Sequence, residues 1–240
     1  FCYGTKSAEY VNKLGMRADR IYIRFQATDN HTIENICLNY KIKRDELKKQ
    51  YGFNKYNFIY VGRLSPEKNL ITLLKAFDNL IKNQEESKDW GLIIVGDGPQ
   101  RKELEEFIEK YNLKSCVFFV GGKSWKDVVE YYALADVFIL PSLSEPWGLV
   151  VNEAMVCGLP VVVSRRAGSY WDLVKEGING FGFDPLNQKE LENIMLKFIM
   201  GKVDMKKMGE ASKEIIKEYT PQNAARQMLK GIEDILESKK

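Results

Sequence analysis

Short apolar runs alternate along this chain with stretches whose apolar residues recur every three or four positions. The runs are Phe58–Val61, Gly91–Val95, Val117–Val120, Val137–Leu140 and Pro160–Val163, with a shorter one at Phe181–Phe183. Most are apolar throughout, as strands covered on both faces must be. Between them, Leu70, Leu73, Leu74, Phe77 and Ile81 form one helical stripe, and Leu104, Phe107, Ile108 and Tyr111 another. That spacing lines up one face of a helix. Ser124 with Asp127 predicts a capping box before a helix over Val128–Ala135. Helices also fit Leu149–Cys157, Lys189–Ile199, Met205–Glu218 and Asn223–Leu236, the last preceded by Pro221, which suits a first turn. Ahead of Tyr56 the pattern predicts a helix over Ser7–Leu14 ending at Gly15, a strand over Arg20–Phe25, a turn over Ala27–Asn30 and a helix over Asn35–Tyr51. Strand–helix–strand units of this length build an α/β, doubly wound parallel sheet, here of about six strands, with Ser7–Phe25 at its periphery. Ligands of such sheets sit at the carboxyl ends of the strands. The strand order is left open.

Composition narrows the partners. The formal charge is +3, from 36 basic and 33 acidic residues, and 45% of the 240 residues are hydrophobic. The densest basic run, Lys41–Lys49, also carries Asp45 and Glu46 and reads as a solvated helix face, so no nucleic-acid partner is expected. No apolar run reaches the roughly 18 residues that span a bilayer. Cys2, Cys37, Cys116 and Cys157 are scattered, without a C-x-x-C, which suits a reducing cytoplasmic setting. One histidine, His31, leaves little scope for a zinc site. The chain opens on Phe1, so it reads as a fragment or a processed product.

Four loops at strand ends carry candidate chemistry. Gly62-Arg63-Leu64-Ser65-Pro66-Glu67-Lys68-Asn69 joins a strand to a helix. Gly62 permits a tight turn. Arg63 can grip a diphosphate with two parallel hydrogen bonds, and Lys68 adds a point charge. Ordinary surface charge is the alternative. Gly96-Asp97-Gly98-Pro99 is a ligand loop or a structural turn. In Pro141–Met155, the amides of Gly148 and Leu149 head a helix and can seat a phosphate. Glu145 before that helix and Glu153 within it can divide a polyol and a ribose between them, or Glu153 can serve the helix dipole. Trp125, in Gly121-Gly122-Lys123-Ser124-Trp125, reads first as a packed core residue, with stacking as the alternative. Arg165-Arg166 stays open between a surface pair and a phosphate contact.

In their fixed order these motifs resemble the retaining glycosyltransferases of the GT-B fold often called family 4, the "glycosyl transferases group 1". They are Gly62-Arg63-Leu64 with Glu67-Lys68, Gly96-Asp97-Gly98-Pro99, Ala135–Ser142, Glu145-Pro146-Trp147-Gly148-Leu149 with Glu153-Ala154-Met155, Gly158-Leu159-Pro160-Val161-Val162 and Gly177–Phe181. The resemblance covers about Tyr56–Asp184. It implies a Rossmann-like, C-terminal donor-binding domain. It also implies that Glu145 and Glu153 bind the donor sugar and the ribose, that Arg63 and Lys68 hold the diphosphate and stabilise the leaving group, and that Gly148 and Leu149 donate to phosphate and sugar. Gly62 would line the same site. No metal and no cofactor is implied, only a nucleotide-diphosphate sugar, UDP- or GDP-linked. Two departures are visible: Asn69 stands where the family often has Gly, and Trp171 where a Glu is common, with Asp172 beside it.

The resemblance further implies a missing N-terminal domain that holds the acceptor, a glycan or a lipid-linked one. Residues 1–55 would be its tail and linker, 56–220 the nucleotide-sugar domain and 221–240 a C-terminal helix. The full-length enzyme would be cytoplasmic, with peripheral attachment to the inner membrane face as an option. His31 is a poor match for the family's N-domain histidine. The chief alternative is a non-catalytic nucleotide-sugar-binding or assembly module. A redox or isomerase enzyme lacks its dinucleotide loop here.

Overall fold

The strands form as β1 (Tyr56–Val61), β2 (Trp90–Val95), β3 (Val117–Gly121), β4 (Val137–Leu140), β5 (Val161–Ser164) and β6 (Gly180–Phe183). In the computed structural model, which describes residues 1–23 and 26–237, they lie in one sheet in the order β3-β2-β1-β4-β5-β6. Every neighbouring pair is parallel, with Phe58 opposite both Leu92 and Val137. The winding direction reverses between β1 and β4. Their carboxyl ends therefore splay apart and open a crevice.

The apolar runs end up covered on both faces. All six residues of β2 are buried, as are all four of β4 and of β5. Phe58 stacks on Trp90, ring centroids 4.4 Å apart. Helix Leu70–Asn83 buries Leu70, Leu73, Leu74, Phe77 and Leu80, each worth about 1.5–3 kcal/mol of apolar burial. β1 starts two residues earlier than its apolar run. Asn57 tolerates this because its amide donates to Asp136 Oδ2 at 2.8 Å and its side chain to Asn54 O at 2.7 Å.

Ahead of β1 the expected single helix is two, Asn30–Ile42 and Arg44–Tyr51. The first starts early because the Asp29 carboxylate accepts from the Thr32 amide at 3.1 Å and its hydroxyl at 2.7 Å, an N-cap. It stops where Lys43 leaves helical geometry, at φ −106° and ψ 16°. Ile33 and Cys37 join the same hydrophobic core as the sheet. Arg44 and Lys48 reach Asp136 at 2.7 and 3.2 Å, and burial pushes the Lys48 ammonium pKa down.

Among the described residues of the expected strand over Arg20–Phe25, no strand forms. Ala18–Arg20 is a single 3-10 turn, Ile23 makes one bridge to Cys2, and Arg24 and Phe25 lie outside the described residues. Alternation alone does not make a strand where the described residues find only an isolated bridge. Helix Thr5–Lys13 packs on helix Gly168–Leu173. Thr5 donates its amide to Asp172 Oδ2 at 3.0 Å and its hydroxyl to the other carboxylate oxygen. The last helix, Pro221–Glu237, seats Gly231 against Phe1 and Tyr22 and leaves Leu229, Ile232, Ile235 and Leu236 exposed. Among the described residues no helix is long and apolar enough to cross a membrane.

Candidate active site

Gly62 leaves β1 with φ +153°, and its amide donates to Val95 O at 3.0 Å. The Tyr60 hydroxyl donates to Arg63 O at 2.9 Å and so holds the loop from below. A Cβ on Gly62 would stand 2.7 Å from that hydroxyl. Gly96, at φ +139°, runs so close that a Cβ would stand 1.9 Å from Gly62 O. A Cβ on Gly98 would meet Leu64 O at 2.4 Å, and the Leu64 amide donates to Asp97 O at 3.0 Å. The loop after β2 is thus a packing surface for the loop after β1, which settles one of the two readings left open for it. It also helps to line a cavity.

The loop after β4 is bolted on both sides. The Leu143 amide donates to Glu67 O at 2.8 Å, and the Gly168 amide to Glu145 O at 2.9 Å. A Cβ on Gly168 would overlap Pro146 O at 2.1 Å. Trp147 is buried, and its indole N–H donates to Asn152 Oδ1 at 2.9 Å. Gly148, at φ +93°, then turns the chain into helix Leu149–Val156. The first amides of that helix, before the Val151 amide that donates to Gly148 O at 2.9 Å, lie outside its hydrogen-bond ladder and carry its positive end. Asn69 takes the left-handed conformation, φ +58°, that a glycine would supply. Its side chain donates to Pro141 O at 3.2 Å and Pro185 O at 2.9 Å.

Two cavities of about 340 Å³ each flank Gly62 and share Val61 and Gly62 as lining. Lys68, Glu145, Gly148 and Leu149 line the first, Arg63 and Glu153 the second. All seven candidate residues are therefore brought to one bipartite cleft at the switch point. Lys68 and Glu145, given separate tasks by the sequence, are ion-paired with each other, their side chains only 18% and 13% exposed. A Coulomb pair forms because a mostly buried carboxylate needs a counter-charge. Arg63 is exposed and has no ion pair with a described residue. Burial pushes the Glu153 carboxyl up to about 6, opposed by the Tyr132 hydroxyl, which donates to its Oε2 at 2.9 Å. Burial likewise raises the Tyr60 and Tyr132 phenols.

Several sequence expectations change here. Trp125 is not a core residue: it is 51% exposed and lines the second cavity. Among the described residues, the turn that follows β3 is exposed from Gly122 to Asp127. Arg165 is held by Glu190 at 2.7 and 3.2 Å and by Gly182 O at 3.0 Å, and it lines neither cavity. Asp172 docks Thr5 instead of serving the cleft. Ser124 and Asp127 do bond, the Asp127 amide donating to Ser124 Oγ at 3.3 Å and that hydroxyl to Asp127 Oδ2 at 2.6 Å. His31 lines a separate cavity of about 680 Å³ beside helix Met205–Ile216. Tyr60 and Tyr132, which position Arg63 and Glu153, belong to none of the sequence motifs. The available signal is a tyrosine inside an otherwise apolar strand or stripe. Among the described residues, no group of three or more His, Cys, Asp or Glu side chains could hold a metal ion.

A parallel sheet in this order, with a charged cleft at its switch point, defines a Rossmann-like domain of the GT-B glycosyltransferase type. The family model of the glycosyl transferases group 1 matches residues 43–215, and the chain belongs to that family. It is 29% identical over 200 residues to an uncharacterized glycosyltransferase of Methanocaldococcus jannaschii, covering 83% of this chain and 53% of the relative. It is 29% identical over 177 residues to a GDP-mannose-dependent alpha-mannosyltransferase of Corynebacterium glutamicum, covering 74% of this chain and 39% of that one. Among solved structures, Anabaena HepE in complex with UDP superposes with a TM-score of 0.81 at 25% identity, over 97% of this chain and 63% of HepE. The chain thus spans about half the length, or less, of these curated relatives.

Proposed function

We propose that this chain is the donor-binding half of an enzyme that transfers a sugar from a nucleotide-diphosphate sugar to a glycan or lipid acceptor, with retention of configuration. One observation carries the proposal: seven residues from two loops and the helix that follows the second meet in a two-part cleft, with cations and carboxylates in both parts. Lys68 and Arg63, on either side of Gly62, take the diphosphate. When the bond from anomeric carbon to phosphate oxygen breaks, its electron pair leaves with the diphosphate. Both cations and the amides of Gly148 and Leu149 stabilise that charge. Glu145 accepts from donor-sugar hydroxyls, and Glu153 from the ribose. Lys68 must then exchange part of its contact with Glu145 for phosphate oxygens, which frees Glu145 for the sugar.

The likeness to HepE, solved with UDP and with UDP-glucose, and to a GDP-mannose-dependent enzyme supports a UDP- or GDP-linked donor. We assign residues 56–220 to the donor domain, 221–240 to a C-terminal helix and 1–55 to the tail and linker of a preceding domain that holds the acceptor. By itself this chain is expected to bind donor nucleotide weakly and to turn over little sugar, because positioning the acceptor and excluding water fall, in this proposal, to that preceding domain. A cytoplasmic setting, peripheral at the inner membrane face for the whole enzyme, goes with such donors and acceptors. Calorimetry of the chain against UDP, GDP and ADP tests the site. Binding of at least one is expected, and a folded chain that binds none contradicts the assignment. Transfer from the same donors to a panel of glycan and lipid acceptors, by the chain and by the full-length protein, separates a transferase from a binding module.

A further inference from the structure

The first cavity is not built from the loops after β1 and β4 alone. Tyr3 and Gln26, both ahead of β1, line it together with Lys68, Glu145, Gly148 and Leu149. Tyr3 is half exposed, yet its main chain is pinned on both sides. Before it, the Cys2 amide donates to Tyr22 O at 2.8 Å. After it, Gly4 lies so close to the Trp147 ring that a Cβ would stand 2.4 Å away, and the Thr5 amide donates to Asp172 Oδ2 at 3.0 Å. Gln26 is fixed from the same loop. Trp147 donates its indole N–H to Asn152 Oδ1 at 2.9 Å, and the Asn152 side-chain amide donates to Gln26 O at 3.0 Å. One buried indole in the Glu145 loop thus registers both residues to the cavity. A large aromatic side chain held half exposed at the mouth of a charged cavity marks a contact surface.

We infer that Tyr3 is a contact residue for the transferred sugar, an inference that rests on the donor-site assignment above. A hexose presents hydroxyls around its edge and a patch of C–H groups on its face. Glu145 accepts from the hydroxyls. The Tyr3 side chain, apolar on its ring faces and polar at its tip, takes the C–H patch. Small-molecule sites combine an apolar or aromatic wall with a few placed polar groups in this way. The chain ahead of β1 therefore does more than lead out of a preceding domain. It supplies one wall of the sugar compartment, while the diphosphate stays with Arg63 and Lys68. Tyr3 shares its cavity with Lys68 and Glu145 but not with Arg63 or Glu153, so its contribution belongs to the sugar and not to the nucleoside.

The test is calorimetry on the chain and on Tyr3→Ala and Tyr3→Phe, with UDP, UDP-glucose, UDP-galactose, UDP-N-acetylglucosamine, GDP and GDP-mannose as probes. The quantity read is the preference for a sugar nucleotide over its own plain diphosphate. The parent chain should show such a preference for at least one sugar. Tyr3→Ala should reduce it by on the order of tenfold, the loss of one well-placed side-chain contact, and leave the plain diphosphate within about twofold of the parent. Tyr3→Phe keeps the ring face and should retain most of the preference. A preference unchanged in Tyr3→Ala overturns the inference and leaves the donor site standing. So does a loss shared equally by the plain diphosphate, which would mean a displaced Glu145 loop. So does a parent chain that binds diphosphates and prefers no sugar nucleotide. A folded parent chain that binds none of the probes removes both the inference and the assignment beneath it.

Discussion

Glu153 is a carboxylate whose folding raises its pKa from about 4.5 to about 6, through burial. Folding therefore disfavours its ionised form. The stability it contributes is complete below about pH 4.5 and is lost as pH rises through 6. Glu153→Gln keeps a hydrogen-bond acceptor for Tyr132 and cannot ionise. It should exceed the parent chain by up to about 2 kcal/mol more at pH 8 than at pH 4, since each tenfold change in proton affinity is worth about 1.36 kcal/mol. Urea denaturation at the two pH values measures this, and an equal difference at both would contradict it. Ribose hydroxyls donate best to the ionised carboxylate, so nucleotide affinity should rise through pH 6 in the parent and less so in Glu153→Gln. Comparing the two subtracts the titration of the nucleotide's own phosphate. Glu145 calls for a different pair of measurements. Because it is ion-paired to Lys68, Glu145→Gln should bind plain UDP as well or a few-fold better and lose the added affinity of the sugar nucleotide. Equal losses for both ligands would contradict the sugar-binding role.

At the scale of elements, glycines decide how closely the ligand-end loops approach. Gly96 and Gly177 both have positive φ, +139° and +72°, but a Cβ on Gly96 would overlap Gly62 O at 1.9 Å while one on Gly177 meets nothing within 4 Å. Gly177→Ala should cost about 1–2 kcal/mol, the penalty of a left-handed side-chain residue, with nucleotide binding intact. Gly96→Ala should cost more than that and weaken UDP as well, because the loops after β1 and β2 must part. Urea midpoints and calorimetry on both variants would show the contrast, and similar behaviour would contradict the close-approach explanation. The motif pattern marks both glycines alike. Only the neighbour across the cleft separates them.

Over the whole molecule, the first residues are held to the sheet by few bonds. Thr5 bonds to Asp172, and Gly4 lies against Trp147 and Asp172, where a Cβ would stand 2.4 Å from each. Asp172→Ala should loosen Thr5–Lys13 without unfolding the sheet. Limited proteolysis should cut within residues 5–20 faster, while the urea midpoint of the core shifts little. Unchanged cleavage would contradict the docking role. The exposed Leu229, Ile232, Ile235 and Leu236 on the last helix add apolar surface on an element that buries only Gly231. Such a surface suits contact with a further domain.

The sequence by itself determined the local elements and the roster of the cleft. Strands β1 to β6 each fell within two residues of their apolar runs, because full burial forces a continuous apolar pattern that local reading detects. Arg63, Lys68, Glu145, Gly148 and Glu153 could be named as candidates because they follow the carboxyl ends of predicted strands, and they meet because β1 and β4 are neighbours at the switch point. What only the tertiary structure decided depends on partners distant in the chain. The Lys68–Glu145 pair spans 77 positions. The bond from Tyr132 to Glu153 links different helices. Asp172 turns from the cleft to Thr5, 167 positions away. Trp125 is exposed because no described element covers the turn after β3. Burial, pairing and pKa belong to three-dimensional neighbourhoods, and a hydrophobic pattern records only which face of each element is covered, not by what.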